Sequence, residues 1–562
     1  MQHMKITKNL GEFQKFIDSD NKTGQCLEDT IQFFDIQRIF GRFESVKQRG
    51  IRVTLIMTTL LIMLFYRSRN IHSYFSRQYG KQANRDGSKN PYYDLLSNEK
   101  INWRLILYLF AKRYLNLSGQ ITDYIDKVRA LIFDDSPIEK SGKKIEGVSK
   151  MHDHVTGRYI FGYKLLVCGY WDGGNFIPID FSLHRERGGE LDKARDKRNR
   201  ARRKAKQAEA VYREYRYLHL AKRAALNLLR DEMALCSKKT TVLEYEKQEK
   251  QVSRSKKKQA KLMSKMKQAK TILAEKEEVV IQKEKKAPLY GLTPSQQRKQ
   301  FRKQREKDSP GYERKSEVDM SKTQSMMKML SRAVKRGFEF DYVLFDSWFF
   351  SKEILARIES FRTKGIKLIA MVKMGKNLYR DCFSDKEMDA STLRKRYRDK
   401  AKRNRKFNAR YIRVPVWYDK RRVNLFFVKL GSGGKWKALI TNDLGIGFNK
   451  LMETYHIRWS CEVFFKDGKQ HLQLGKCQCN NFDSQIGSTT LAMMQYMMLL
   501  LYKQMHYGKS LGSMFDLLSS QAEEENITRY LLEIFWEIVN GIGELLKLDC
   551  MDLFEEIIRD NQ

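Results

Sequence analysis

The sequence predicts an α/β protein with long helical additions, and three observations carry that prediction. Short apolar runs of strand length (RALIFDD, DYVLFD and IKLIAMVK) alternate with segments of helical period. Two of those runs end in acids. The residues from Glu190 to Ala287 contain no Gly and no Pro, and Lys, Arg, Ala, Gln and Glu, all good helix formers, dominate them.

Composition bounds the rest. The 562 residues can hold several domains, and 12% aromatic content excludes a disordered chain. A formal charge of +41 attracts polyanions such as DNA, RNA or acidic membranes. Eight scattered cysteines fit reduced thiols and a cytoplasmic setting better than disulfides. Cys477 and Cys479 lie near His471, but no second Cys/His cluster completes a zinc site. The opening MQHMKITKNLGEF lacks the apolar core of a signal peptide. The apolar run Val53–Tyr66 falls short of the roughly 20 residues a bilayer span needs and reads as a buried helix. No membrane partner is expected.

Taken in order, residues 1–124 read as helical. Arg38, Arg42, Lys47, Arg49 and Arg52 are interleaved there with Phe40 and Phe43, a mix that suits either a module on a phosphate backbone or a solvated basic face. The stretch Asn84–Tyr93 reads as a loop. Arg129–Asp135 is a short strand that Ser136-Pro137 should break. A basic, Gly-punctuated loop follows, then strands at Tyr159–Cys168 and Phe176–Leu183 joined as a hairpin around Asp172-Gly173-Gly174. Residues 190–320 form a basic insertion. Its first part should be a helical hairpin breaking near Ser237-Lys238-Lys239, with a seam of Val211, Tyr215, Leu218, Ala225 and Leu229. It either touches nucleic acid or is a solvated coil. Its end, from Pro288 to about Ser321, reads as a poorly ordered linker.

The α/β pattern then resumes with a helix at Ser325–Gly337, a strand at Asp341–Asp346, a helix at Lys352–Phe361 and a strand at Ile366–Lys373. Residues 374–443 are β-rich and basic. A single helix should carry YHIRWSCEVFFKDGK. Residues 476–562 read as helical, with a Met-rich apolar helix at Leu491–Leu501 and an amphipathic end at Ile527–Ile558.

At about 100° per residue, Tyr455, Arg458, Glu462 and Lys469 fall on one stripe of that helix, and the other faces look largely buried. Charged groups there must be paired or bind something. The first and fourth strands can be neighbours, so Asp134 or Asp135 and Asp346 would meet at one sheet edge beside Glu462. Clustered carboxylates favour a hard divalent cation. For each acid alone a local role is available: Asp134 or Asp135 capping a turn, or Asp346 as a helix N-cap.

The spacing of Tyr455, Arg458, Glu462 and Lys469 resembles the Tyr-Arg-Glu-Lys signature of one group of bacterial insertion-sequence DDE transposases. FDDSPIEKSGKKIEG and VLFDSWFF resemble that family's first and second acid blocks. The resemblance covers roughly residues 50–500. It implies an RNase H-like catalytic domain over 125–475, with 374–443 as its β-rich insertion, between a helical DNA-binding region at 1–124 and a helical region at 476–562. It also implies that Asp135, Asp346 and Glu462 bind two Mg²⁺ or Mn²⁺ ions, with Asp135 preferred over Asp134 because Ser136 follows it. Tyr455, Arg458 and Lys469 would contact phosphates. Trp436 or Trp417 would stack a displaced base, unless each simply fills the core. The implied partners are double-stranded DNA, as terminal inverted repeats and target, and a second copy of the chain in a synaptic dimer. The implied setting is the bacterial cytoplasm and nucleoid.

Overall fold

In the computed structural model of the chain, the described residues are 32–523 apart from 79–88, 122–126, 154–155, 187–188, 236–238, 285–293, 362–364, 376 and 506–509. Several expectations lie outside them: the opening segment, the first half of the Asn84–Tyr93 loop, the helix break at Ser237-Lys238, the start of the Pro288 linker and the amphipathic end at Ile527–Ile558. The second half of that loop is corrected, because a helix begins at Asn90 with Pro91 in its first turn.

Along the chain the N-terminal helices are α1 (Ile36–Gly41), α2 (Val53–Ile62), α3 (Ile71–Gln78), α4 (Asn90–Leu96) and α5 (Trp103–Ile121). Phe40 and Phe43 are buried, so the aromatics between the cations are core residues. Helix α2 buries Val53, Ile56, Met57, Leu60 and Leu61. No described helix is long and apolar enough to cross a membrane. The strands β1 (Ala130–Glu139), β2 (Ser149–His152), β3 (Tyr159–Trp171) and β4 (Phe176–His184) follow. Then come α6 (Gly189–Leu235), α7 (Lys239–Glu284), α8 (Pro310–Ser316), α9 (Lys322–Lys335), β5 (Tyr342–Phe345), α10 (Lys352–Glu359) and β6 (Lys367–Val372). The β-rich stretch holds β7 (Leu378–Asp381), β8 (Glu387–Asp389), α11 (Ala390–Arg396), β9 (Lys402–Asn404), β10 (Ala409–Tyr418), β11 (Arg421–Leu430) and β12 (Lys437–Thr441). The last named helices are α12 (Phe448–His456), α13 (Trp459–His471) and α14 (Phe482–Met505).

The chain divides into two compact units. The first holds residues up to Gly147, then Tyr163–His184 and everything from Phe301 on. Its sheet begins with β4 paired to β3 and continues β3-β1-β5-β6-β12-β11-β10-β7-β8, while β9 pairs with β10. The β3–β4 hairpin is antiparallel, as expected. Strands β1 and β5 are parallel neighbours with Phe133 opposite Phe345, and β5 and β6 are parallel too. This mixed α/β sheet is consistent with an RNase H-like nuclease fold. Its first strands are buried on both faces, which explains their unbroken apolar runs. Helix α14 is buried on every side from Phe482 to Tyr502. That segment packs within its own fold.

Two further expectations for this unit are corrected. Strand β1 does not stop at Ser136-Pro137 but runs on to Glu139. Its pairing with β5 ends at Phe133, so Pro137, which has no N–H to give, lies beyond that ladder. The stretch from Phe301 to Ser321 is ordered structure, because buried Arg305 bonds Glu146 at 2.7 Å and Asp483 at 3.1 Å. Arg314 is likewise buried and bonds the Phe181 carbonyl.

The second unit covers Val148–Gly162 and Arg185–Gln300. Strand β2, where a loop was expected, pairs antiparallel with the start of β3. Helices α6 and α7 form the expected two-helix pair. Arg202 bonds Glu277 at 3.0 Å, Glu209 accepts from Lys270 at 3.3 Å, and His219 meets Ser255 at 3.2 Å. The seam matches the expected one in part: Tyr215, Ala225 and Leu229 are among the more covered positions, with Tyr212, His219 and Leu226, while Val211 and Leu218 are 44% and 48% exposed. Polar contacts between the helices therefore set the seam as much as apolar spacing does.

Candidate active site

The site begins at the C-terminal ends of two parallel strands. Phe133 lies opposite Phe345, so the next residues, Asp134 and Asp346, leave adjacent strands side by side. Neighbouring strands are about 4.8 Å apart. Side chains alternate along a strand, so Asp134 and Ser136 share one face of β1 and Asp135 takes the other. The contacts follow that alternation. Arg458 donates to Asp134 at 2.6 Å and Lys469 donates to Ser136 at 2.6 Å. Asp135 instead accepts from Lys322, at the start of α9, at 3.1 Å.

The residues Tyr455–Lys469 do not form the single helix expected. Helix α12 ends at His456 and α13 begins at Trp459. Ile457 and Arg458 keep helical dihedrals, but Ile457, Arg458, Ser460 and Cys461 all donate to the carbonyl three residues back. That tighter turn still sets Arg458 within 2.5 Å of Glu462. The helix is less enclosed than its composition suggested. Cys461, Phe464, Phe465 and Gly468 are buried, while Trp459 and Val463 are 56% and 41% exposed.

One guanidinium therefore serves two carboxylates, Asp134 and Glu462. Burial works against the Arg458 charge, but Asp134 and Glu462 outweigh it and hold the group protonated beyond its ordinary value. Burial pushes the Asp134 carboxyl up to about 7 despite the Arg458 charge, and the neighbouring Asp135 and Glu462 carboxylates push the same way. Burial also raises the Tyr455 phenol, with added repulsion from Asp346 and Asp134, so Tyr455 senses both strand-end acids. Asp346 accepts from the Ser347 amide at 2.6 Å, and its carbonyl takes the Phe349 amide at 3.1 Å. It is not a helix cap: Ser351 caps α10 by accepting from Ile354.

Among the described residues no three His, Cys, Asp or Glu side chains stand together as an ion-holding group. The Arg458 guanidinium is the cation between Asp134 and Glu462. The donor set around it is made of carboxylate oxygens, which is the chemistry of Mg²⁺ and Mn²⁺ sites. Cys477 and Cys479 engage each other, which lowers the Cys477 thiol and raises that of Cys479, while His471 lies against Phe515.

The tryptophans divide by sheet edge. Trp436 precedes β12, whose Ala438 pairs with Val372, so it sits on the same edge as Asp346, two strands along. Trp417 pairs with Arg422 beyond the far end of that ladder and sits on the opposite edge. Neither is fully buried. Sequence reasoning passed over Lys322 and Trp348. Trp348 is 57% exposed, follows Asp346 by two residues, and has Lys322 and Lys373 5.1 and 5.2 Å from its ring centre. The available signal was the aromatic cluster in VLFDSWFF.

Two family models match the chain. One, described as a transposase DDE domain, covers residues 313–498. The other, a DDE superfamily endonuclease, covers residues 78–244. The first takes in Asp346, Tyr455, Arg458, Glu462 and Lys469, and the second takes in Asp134 and Asp135. Together they support a DDE-superfamily transposase, an enzyme class that acts on DNA and generally depends on divalent metal. Among curated proteins none matches the chain.

Proposed function

We propose that this chain is a cut-and-paste transposase of the Tyr-Arg-Glu-Lys group. It cleaves DNA at the terminal inverted repeats of its own element and joins the 3′-hydroxyl ends to target DNA. The observation that carries this reading is the shared guanidinium. Asp134 from the first core strand and Glu462 from a late helix meet on Arg458, beside the strand end that bears Asp346.

Asp134, Asp346 and Glu462 would hold the Mg²⁺ or Mn²⁺ ions. When bound, the ions supply positive charge at the attacking and leaving oxygens of the phosphodiester. Asp135, on the other face of β1, is the alternative first ligand. Before an ion enters, Arg458 keeps the carboxylates from repelling one another. Arg458 and Lys469 are the phosphate-binding cations, and Tyr455 is the phenol beside the strand phosphate. Trp436, on the same edge, is the candidate stacking residue. The N-terminal helices α1–α5 and the cationic helical pair α6–α7 bind end DNA outside the site, and two copies pair the ends.

The test is cleavage and joining of a duplex taken from the DNA that flanks the coding region. Glu462→Gln should bind that duplex as the parent does and leave it uncut. A variant that cut and joined normally would overturn the role given to Glu462, and a parent protein that bound the duplex without ever cutting it would favour a DNA-binding repressor. Pre-cut ends separate the remaining rival. A transposase joins them to target, whereas a nuclease of the same fold yields no joined product.

A further inference from the structure

The most basic short stretch of the first unit lies outside the acidic site. From Arg394 to Arg413 there are eleven Lys and Arg residues and one acid, Asp399. The chain here forms α11 and then the β9–β10 hairpin, whose ladder pairs Arg410 with Arg403. Like charges directly opposite destabilise a ladder, so this pairing is not there for the sake of the sheet. Lys402, Arg403, Arg405, Lys406 and Arg410 are all exposed.

The hairpin is seated firmly. Asn404 donates to Asn449 at 2.6 Å, and Lys406 donates to Glu453 at 2.5 Å. Tyr411 stacks on Phe448 with ring centres 3.9 Å apart and planes 7° from parallel. All three anchors are on α12, the helix that ends beside Tyr455 and Arg458. Exposed Lys450 adds a further cation to the same helix. From Glu453 to Arg458 is five residues, or about 8 Å at helical rise. In duplex DNA that spans roughly two to three base pairs.

We propose that the β9–β10 hairpin is a clamp on the backbone of duplex DNA, gripping phosphates about two to three base pairs from the one held at Arg458. This rests on the reading of the site as a DNA-cutting centre and assigns a substrate contact that the acid site does not contain. A rigid cationic ridge beside the site fixes the register of the duplex without reading its sequence.

The probe is a duplex carrying the terminal sequence flanking the coding region, with single phosphates replaced by neutral methylphosphonates. In the parent protein, neutral phosphates two to three base pairs from the cleaved bond should weaken binding more than their neighbours do. A flat profile over those positions overturns the proposal without any variant being made. In Arg403→Ala/Arg405→Ala, which alters two exposed side chains, that sensitivity should vanish. The slope of log affinity against log salt should fall by about 2, since each lost contact contributes about 0.9. Arg403→Lys/Arg405→Lys should keep the slope, and an unchanged slope in the double alanine variant overturns the clamp. A parent protein that binds but never cuts the duplex overturns the catalytic reading instead, and the slopes still decide the hairpin.

Discussion

Asp134 and Asp135 are adjacent in sequence and opposite in surroundings. One meets Arg458 and the other meets Lys322, because a strand turns successive side chains to opposite faces. We expect Asp134→Ala to lower cleavage by about 10²-fold or more, the scale set by losing one charge-stabilising group. Asp135→Ala should lower it far less. Single-turnover cleavage of an end duplex measures both, and the reverse ranking would make Asp135 the ligand. The sequence showed which residue types gather here, since the strand-end acids and the spaced Tyr455, Arg458, Glu462 and Lys469 are visible in one dimension. It did not show which aspartate faces the helix. That depends on the phase of β1, and the phase depends on β1 continuing through Pro137.

Among the elements, the helices and strands were mostly legible because their apolar periods differ. Polar anchors were not. The stretch from Phe301 to Ser321, supposed to be linker, is instead held down by buried Arg305 and Arg314, with partners such as Glu146, Asp483 and Phe181 far away in sequence. Asp180 on β4 is the centre of one such cluster, bonding Arg104 at 3.2 Å and Arg332 at 2.8 Å. Burial works against the Asp180 charge, yet Arg104, Arg332 and Arg314 together hold its carboxyl well below its ordinary value. A depressed folded-state value means that the stabilisation is present above about pH 4, the unfolded carboxyl value, and is lost as pH falls through the folded one. Asp180→Asn should cost about 3–5 kcal/mol by leaving buried arginines uncompensated. It should also flatten the acid limb of the stability curve. Urea unfolding at pH 3 and pH 7 checks both, and parallel losses at the two pH values would contradict the assignment.

For the whole molecule, the proposed function assigns two tasks to the two compact units. The acids, Arg458 and the β9–β10 hairpin all belong to the first unit, and the long cationic helices α6 and α7 belong to the second. Replacing 190–284 with a short Gly-Ser linker should therefore leave the first unit folded. Affinity for end DNA should drop and the salt slope should become shallower, while cleavage at saturating DNA falls much less. Equal loss of affinity and of cleavage at saturation would place the helices in the chemistry itself. The overall charge points to a polyanion partner, but how that charge divides between ridge, helical pair and site is a property of the folded chain.

The shared guanidinium has one more consequence. Under the proposed function, a phosphate that draws Arg458 toward itself would release two carboxylates in the same event, and nucleic acid and divalent ion would be thermodynamically linked through one side chain. Each should raise the affinity for the other by an equal factor, as reciprocity requires. Calorimetric Mg²⁺ titrations with and without an end duplex would measure that factor in the parent. In Arg458→Ala it should collapse toward one.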